Sequence, residues 1–100
     1  MKAFKLVRKM KDGSLSPLFI NKKLRFPIGE WLEAESHRTK GFAYRQGYHC
    51  TLKQVAPHLS KKDRVWVEVE VEDVEHYKRP ESQGGTWVLA QRMKIIKELD

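Results

Sequence analysis

The chain has 100 residues, 40% of them hydrophobic and 33% charged, with a formal net charge of +7 at pH 7. This length and apolar content predict a single folded domain over residues 1–100 and argue against a disordered tail. No apolar run approaches the ~20 residues that span a bilayer, and the single cysteine, Cys50, excludes an intramolecular disulfide. A lone thiol without a secretory apolar segment predicts a cytoplasmic location.

The positive charge is concentrated near the N-terminus. Residues 1–25 contain eight basic side chains and one acidic side chain, whereas the other 75 residues contain twelve of each. A concentrated positive field attracts polyanions better than dispersed charge does, although a purely solubilising surface would have the same composition. The eight candidates for contacts to nucleic acid or an acidic partner are Lys2, Lys5, Arg8, Lys9, Lys11, Lys22, Lys23 and Arg25.

The first predicted element is a β-hairpin. Residues 2–9 mix apolar and basic side chains as a strand with one solvated face does, and residues 11–14 predict a turn in which Gly13 supplies a positive φ. Residues 15–21 predict the returning strand. Pro17 has no amide hydrogen for a ladder, so this strand is expected at a sheet edge or beside a bulge.

Only short elements are predicted over residues 24–45. Pro27 and Gly29 interrupt any regular structure there. Residues 31–35 favour a short strand over a single helical turn. The polar loop that follows leads to a short extended piece at residues 41–45.

One helix is predicted, over residues 52–59. Thr51 is a suitable N-cap because its hydroxyl can accept a hydrogen bond from an amide of the first helical turn. Four apolar residues then follow the i, i+3, i+4, i+7 spacing of one helical face, and Pro57 keeps the helix short. These apolar residues are Leu52, Val55, Ala56 and Leu59.

The clearest strand begins at Arg64. Four valines alternate with Trp66 and three glutamates, and this period of two is typical of a strand with one buried and one solvated face. The glutamates are Glu68, Glu70 and Glu72. We expect them to be solvated and to pair with lysines of the N-terminal hairpin, rather than to act as an acid–base pair.

The C-terminal residues predict a loop at 73–85, followed by two strands or one bent strand over 86–99. Ile96 interrupts the alternation of this last element. Together, the elements predict an α+β fold: a small, mostly antiparallel sheet of five to seven short strands with one short helix packed on one face.

Residues 48–51 combine side chains that are capable of chemistry. In a strand, Tyr48 and Cys50 face one side and His49 the other, which argues against a thiolate–imidazole pair and makes Cys50 a small buried hydrophobe. Arg45, Tyr48 and His49 form a possible ligand-binding trio for a phosphate or a nucleotide. The simpler alternative is a structural histidine that bonds a backbone carbonyl. The histidines lack the close spacing of metal ligands, so neither a metal nor a cofactor is expected.

Aromatic residues are interspersed with the basic ones in residues 1–45. Sheets that bind single-stranded nucleic acid combine the same two residue types, stacking bases on the rings and holding phosphates with the cations. Most of these rings are also expected in the core, so the pattern alone does not separate a stacking surface from a core.

Residues 47–50 (Gly-Tyr-His-Cys), the valine strand at 65–71 and the closing residues 92–99 resemble small domains encoded by phages and prophages. In those domains a glycine–aromatic–histidine segment precedes a Val-Glu-Val strand, and the last strand ends in a basic tail with two isoleucines. The resemblance covers residues 41–99. It implies expression in the cytoplasm of a bacterial host and implies no reaction.

The order of Gly47-Tyr48-His49, Ala56 and the strand at 65–71 is also similar to the ADP-ribosyltransferase core. In that core a glycine–aromatic segment and a short helix lead into an apolar strand. For a chain this short, the similarity implies a reduced relative that binds or sequesters a nucleotide.

These observations lead to the hypothesis of a non-enzymatic, phage-type accessory domain that binds nucleic acid or an acidic host protein through its basic N-terminal hairpin and modulates a host system. The first alternative is a nucleotide-binding or nucleotide-sequestering domain centred on Arg45, Tyr48 and His49. The second is a structural module that acts through sheet-edge pairing. No membrane partner is expected.

Overall fold

A computed structural model describes residues 1–18, 24–34, 47–54, 56, 59–60 and 62–99. Within these ranges the chain forms six β-strands and one 3-10 turn at Glu81–Gln83. The strands are β1 (Lys2–Lys9), β2 (Leu15–Ser16), β3 (Trp31–Glu33), β4 (Tyr48–Thr51), β5 (Arg64–Lys78) and β6 (Thr86–Leu99).

Four of these strands close into a small barrel. β5 pairs antiparallel with β1 on one side and with β6 on the other, and β6 also pairs with β4. β4 returns to β1 through a single backbone pair, Phe4 opposite Thr51, which completes the ring. β2 adds to β1, and β3 adds to β6. Because the ring is closed, the four strands present few unpaired edges.

The barrel interior is filled by apolar side chains from alternate strand positions. On β5 the valines face inward, with Val67, Val69 and Val71 at most 1% exposed, so the predicted valine face is confirmed. The buried members of this interior cluster are Ala3, Val7, Leu15, Phe26, Cys50, Val67, Val69, Val71, Val88, Ala90, Met93 and Ile95.

A second, smaller cluster lies on the outer face. Its buried members are Leu6, Ala56, Trp66 and Trp87, and Leu59 packs against it. Trp66 alternates with the inward valines and is only 5% exposed, so this part of the outer face is covered by the segment after β4 rather than by solvent.

The prediction of an α+β fold is wrong. The described residues contain β-strands and a 3-10 turn and no α-helix, so no helix packs on the sheet. Thr51 belongs to β4, opposite Trp87, and its hydroxyl lies 2.5 Å from the carbonyl oxygen of Lys53 instead of accepting from a helical amide. Leu52 is 39% exposed, whereas Ala56 is buried, so the four apolar residues do not share one buried face. Val55, Pro57 and His58 of the predicted helix lie outside the described residues.

The N-terminal hairpin and a strand at Trp31 are confirmed, but both predicted strands, 15–21 and 31–35, are shorter in the structure: Pro17, Leu18 and Ala34 lie outside them, and residues 19–21 and 35 lie outside the described residues. β1 pairs with β2 across a turn in which Gly13 has φ +88°, and the Asp12 carboxylate accepts a hydrogen bond of 2.9 Å from the Ser14 amide. β2 ends at Ser16, immediately before Pro17, which cannot donate to a ladder. The expected loop and extended piece over residues 36–45 lie outside the described residues.

The predicted loop at 73–85 is too long. β5 continues to Lys78, although Asp73 has φ +54°, a left-handed conformation that Asp tolerates. Glu72 and Val74 on either side of it keep one register with β6, opposite Arg92 and Ala90. β6 is one continuous strand, as the bent-strand alternative predicted. The register of the β5–β6 ladder shifts between Glu68 and Val69, which lie opposite Lys97 and Ile95. Ile96 is therefore an extra residue of β6 at a bulge, and it is 40% exposed.

Within the described residues, no helix has the length and apolar character that crossing a membrane requires.

Candidate functional site

Some cations of the predicted basic hairpin contact groups of neighbouring strands, and others lie at the tip of the hairpin. Lys22 and Lys23 lie outside the described residues, and the other six predicted cations are described. Lys2, Lys5 and Lys9 lie on β1 and contact groups of neighbouring strands.

Two of these lysines form ion pairs, one across the β1–β5 ladder and one with β6, which is not paired with β1. Lys2 Nζ lies 3.2 Å from Glu68 Oε1, which confirms the expected pairing of this glutamate with the hairpin. Lys9 Nζ lies 2.6 Å from Glu98 Oε1. Ion pairs this exposed contribute only about 0–1 kcal/mol to stability, so the lysines can exchange these partners for an anionic ligand.

The other two glutamates of β5 find different partners. Glu70 accepts a hydrogen bond of 2.5 Å from the N-terminal ammonium of Met1, and Glu72 pairs with Arg92, which also contacts Glu33. The carboxylate row is therefore balanced by cations from the N-terminus, β1 and β6, as expected of a solvated sheet face.

Lys5 points into the barrel. It lies between the fully buried Ala3 and Val7 on β1, and its Nζ donates a hydrogen bond of 2.8 Å to the backbone carbonyl of His49. Desolvation lowers the pKa of the Lys5 ammonium below its ordinary value, and the nearby Cys50 sulfur opposes this shift. Lys5 therefore has a backbone partner in the barrel wall, on the other side of β1 from Arg8.

Arg8 lies directly opposite Arg64 in the β1–β5 ladder. Side chains at such positions have Cβ atoms about 4.5–5.5 Å apart, and like charges there repel each other. The two guanidinium groups are held by carbonyl oxygens: Arg8 Nη2 donates to Leu18 at 2.9 Å, and Arg64 Nη1 donates to Ser60 at 3.0 Å. The register thus places a basic residue from the start of β5 beside the basic hairpin.

Further cations lie along the hairpin and at the start of β5. Lys11 is exposed in the turn, and Arg25 is exposed and close enough to lower the pKa of Asp12, although hydrogen bonds from Ser14 are the main cause of that shift. Lys62 is also exposed, and the backbone amide of Lys9 donates to the carbonyl of Asp63 at 2.9 Å, which ties the hairpin to the start of β5.

We name this surface the basic end. Among the described residues it contains six cations and three carboxylates: Arg8, Lys9, Lys11, Arg25, Lys62 and Arg64, with Asp12, Asp63 and Glu98. A shallow groove crosses it, lined by Lys9, Met10, Lys11, Asp63, Arg64, Val65 and Glu98. The hairpin cations were predicted from the sequence, whereas Lys62 and Arg64 were missed. The signal for them was the basic run just before the valine strand, once that strand is paired antiparallel with residues 2–9.

The possible ligand-binding trio is divided between the two faces of β4. Tyr48 packs against the interior cluster, with its ring 6.3 Å from that of Phe26 and its hydroxyl donating to the Glu33 carbonyl at 3.0 Å. The Nδ1 atom of the next residue, His49, lies 2.8 Å from the Tyr77 hydroxyl. Arg45 lies outside the described residues. Neighbouring positions of a strand point to opposite sides, so Tyr48 and His49 do not line one site.

Cys50 is fully buried in the interior cluster. Burial raises the pKa of its thiol to about 11, although the positive charge of Lys5 favours the thiolate. His49 lies on the opposite side of β4 from Cys50. The thiol and the imidazole therefore do not face each other, as the strand pattern predicted. An inaccessible thiol with a raised pKa is a poor nucleophile.

The residues that the structure describes include no group of three or more His, Cys, Asp or Glu side chains arranged to hold a metal ion.

Comparison with known proteins finds no matching family model, no matching curated protein and no matching solved structure.

Proposed function

We propose that this domain is a non-enzymatic binding module that holds a polyanionic partner, either nucleic acid or an acidic protein surface, at the basic end. The observation that carries the proposal is the position of Arg8 directly opposite Arg64. Like charges at paired ladder positions repel each other, and an anion that contacts both guanidinium groups would offset that repulsion.

The charge of the whole surface supports the same function. Six cations against three carboxylates leave a net charge of +3 at one end of a barrel. Lys11, Arg25 and Lys62 are exposed and add to the positive field around the arginine pair. Such a field raises the local concentration of an anionic partner and accelerates its association. In a bacterial host, a module of this kind would act as an accessory domain that modulates a host system.

A nucleotide-binding domain centred on Arg45, Tyr48 and His49 is less well supported. The side chains of Tyr48 and His49 point to opposite faces of β4 and have protein partners there, Glu33 and Tyr77. A ligand would have to contact both faces of one strand, which an intact barrel wall does not allow.

The proposal is tested by neutralising the arginine pair. We expect Arg8→Gln with Arg64→Gln to weaken binding of a fluorescent oligonucleotide, or of a polyglutamate peptide, by about tenfold or more at low salt, because charge-assisted contacts are worth about 1.5–3 kcal/mol each. The matched control is Lys78→Gln with Lys97→Gln, which removes the same charge at exposed positions of β5 and β6. Equal losses in both double variants would show that net charge alone attracts the ligand.

Because Arg8 also bonds the Leu18 carbonyl, its replacement can disturb the fold. A second double variant, Lys11→Gln with Lys62→Gln, changes only exposed side chains of the basic end. It should also bind more weakly than the control. If neither polyanion binds the unaltered domain at low salt, the proposed function is refuted.

A further inference from the structure

We propose that two copies of this chain associate through one edge of β5, where residues 72–78 of each copy pair antiparallel and join the two sheets. We name this edge the open edge. The inference goes beyond the proposed function and does not depend on it, because the open edge and the basic end lie in opposite halves of β5.

The open edge begins where β1 ends its pairing with β5. The β1–β5 ladder ends at Lys2 opposite Glu70, and the Val71 amide donates to the Met1 carbonyl at 2.8 Å. β5 continues through residues 72–78 with β6 on its other side. Among the described residues, no strand pairs with 72–78 on the side that β1 leaves. A strand edge of this kind is a template for another strand.

The backbone groups that face outward along the open edge are those of Val74, His76 and Lys78. The Arg79 amide donates to the Gly85 carbonyl at 2.9 Å, so Arg79 faces β6. Residues that bond a given neighbour alternate along an antiparallel strand, so the even-numbered residues face away from β6 here. Of residues 73–78, four have exposed side chains and two are half-buried, so a second strand can reach these groups.

The order of charges along the open edge favours a second copy of the same strand as the partner. The first half is acidic, and the end is basic. When two copies pair antiparallel, the acidic half of each lies opposite the basic end of the other, whereas a parallel arrangement brings like charges together. The contact is the same on both copies and closes with a two-fold axis, so it gives a dimer. The carboxylates are Glu72, Asp73 and Glu75, and the cations are Lys78 and Arg79.

The net charge of the chain also favours this edge. Two copies with a formal charge of +7 each repel one another over most of their surfaces. At the open edge three carboxylates accompany two cations, so the repulsion there is small. The dimer leaves both basic ends exposed, and a polyanion long enough to reach both would gain affinity through avidity.

The first test is the oligomeric state of the unaltered domain, measured by sedimentation. Because an edge of seven residues buries less area than a stable interface, the range is from about 10 μM to about 1 mM, and we expect a monomer at the low end and a dimer at the high end.

Two variants of one residue test whether the backbone edge makes the contact. His76→Pro removes an outward amide and leaves the bonds to β6, and proline is tolerated at such an edge position. The matched control, His76→Ala, removes the same side chain and keeps the amide. Because each copy loses one hydrogen bond, the Kd of the dimer should be about tenfold or more higher for His76→Pro than for His76→Ala. Equal Kd values in two folded variants would overturn the inference.

Amide hydrogen exchange followed by NMR needs no variant and decides the question if His76→Pro does not fold. The amides of His76 and Lys78 should gain protection as the concentration rises, whereas those of Glu75 and Tyr77 should be protected at every concentration. A domain that stays monomeric throughout the concentration range, or exchange at His76 and Lys78 that does not depend on concentration, would overturn the inference. Either result would leave the proposed function intact.

Discussion

Lys5 donates a hydrogen bond of 2.8 Å to the backbone carbonyl of His49, across the junction where β1 and β4 share one backbone pair. The Lys5 side chain thus helps to hold β1 and β4 together where these strands share only one backbone pair. Thr51 acts in the same place, since its hydroxyl lies 3.2 Å from the Phe4 carbonyl. A residue that composition alone assigns to a polyanion surface is therefore part of the interior.

The desolvated ammonium of Lys5 should make stability depend on pH. Its folded pKa is lowered, so between that pKa and the unfolded value of about 10.4 the unfolded chain binds more protons and stability rises with pH. Replacement by methionine, Lys5→Met, removes this titration and should flatten the rise. Chemical denaturation from pH 7 to 10 measures it. An unaltered pH profile in the variant would contradict a desolvated ammonium.

Cys50 should contribute in the opposite sense. Its folded pKa is raised to about 11, above the ordinary value of about 8.5, so the folded chain holds the thiol proton where the unfolded chain loses it. Stability from this group is therefore fully present below about pH 8.5 and is lost as pH rises toward 11. In a Cys50→Ala variant this loss should be absent, and stability should increase more steeply with pH than in the unaltered domain.

The same burial predicts that the thiol is unreactive. Cys50 is 0% exposed, so the native domain at pH 8 should react with a thiol reagent at a small fraction of the rate of the urea-unfolded chain, which should release one equivalent. The rate is followed by absorbance. Rapid stoichiometric reaction of the native domain would show that the β4 wall opens.

Gly47 should tolerate no side chain. It has φ +138°, and a Cβ there would lie 2.6 Å from Leu89 Cδ1. We expect Gly47→Ala to lower the free energy of unfolding by about 2–4 kcal/mol, through backbone strain and overpacking. The control is Gly13→Ala, where φ is +88° and no atom lies within 4 Å of the added carbon, so only the backbone cost applies. Equal losses in urea denaturation would contradict the close approach of Leu89.

The two faces of β5 should respond differently to truncation. Val69 is 0% exposed in the interior cluster, so Val69→Ala should cost about 2–3 kcal/mol through lost burial and a residual cavity. Glu70 is next in the chain and pairs with the exposed Met1 ammonium, so Glu70→Ala should cost less than about 1 kcal/mol. A larger loss at Glu70 than at Val69 would reverse the assigned faces.

The strands were predictable from the sequence where a single face is buried. The valines of β5 show this, since a period of two leaves no helical alternative. The segment after Thr51 was misassigned because its apolar residues are spaced as on a helix, whereas Ala56 and Leu59 pack in the outer cluster with Trp66 and Leu52 is 39% exposed. Apolar spacing is a local pattern, and tertiary contacts decide which of these residues are buried and in which backbone conformation.

The candidate surface was only partly predictable for a similar reason. Composition identifies the basic hairpin but not which face each cation occupies. Lys5 shares the inward side of β1 with Ala3 and Val7, whereas Arg8 lies outward, opposite Arg64. That pairing depends on the register between two strands about 55 residues apart, which no local pattern supplies.

The central claim is tested most directly by the affinity of the domain for a single-stranded oligonucleotide at low and high salt, before and after neutralisation of the arginine pair. We predict that the unaltered domain binds at low salt and loses affinity steeply as salt rises. The variant with Arg8→Gln and Arg64→Gln should bind much more weakly than the variant with Lys78→Gln and Lys97→Gln. Salt-independent affinity, or equal affinity of the two double variants, would contradict it.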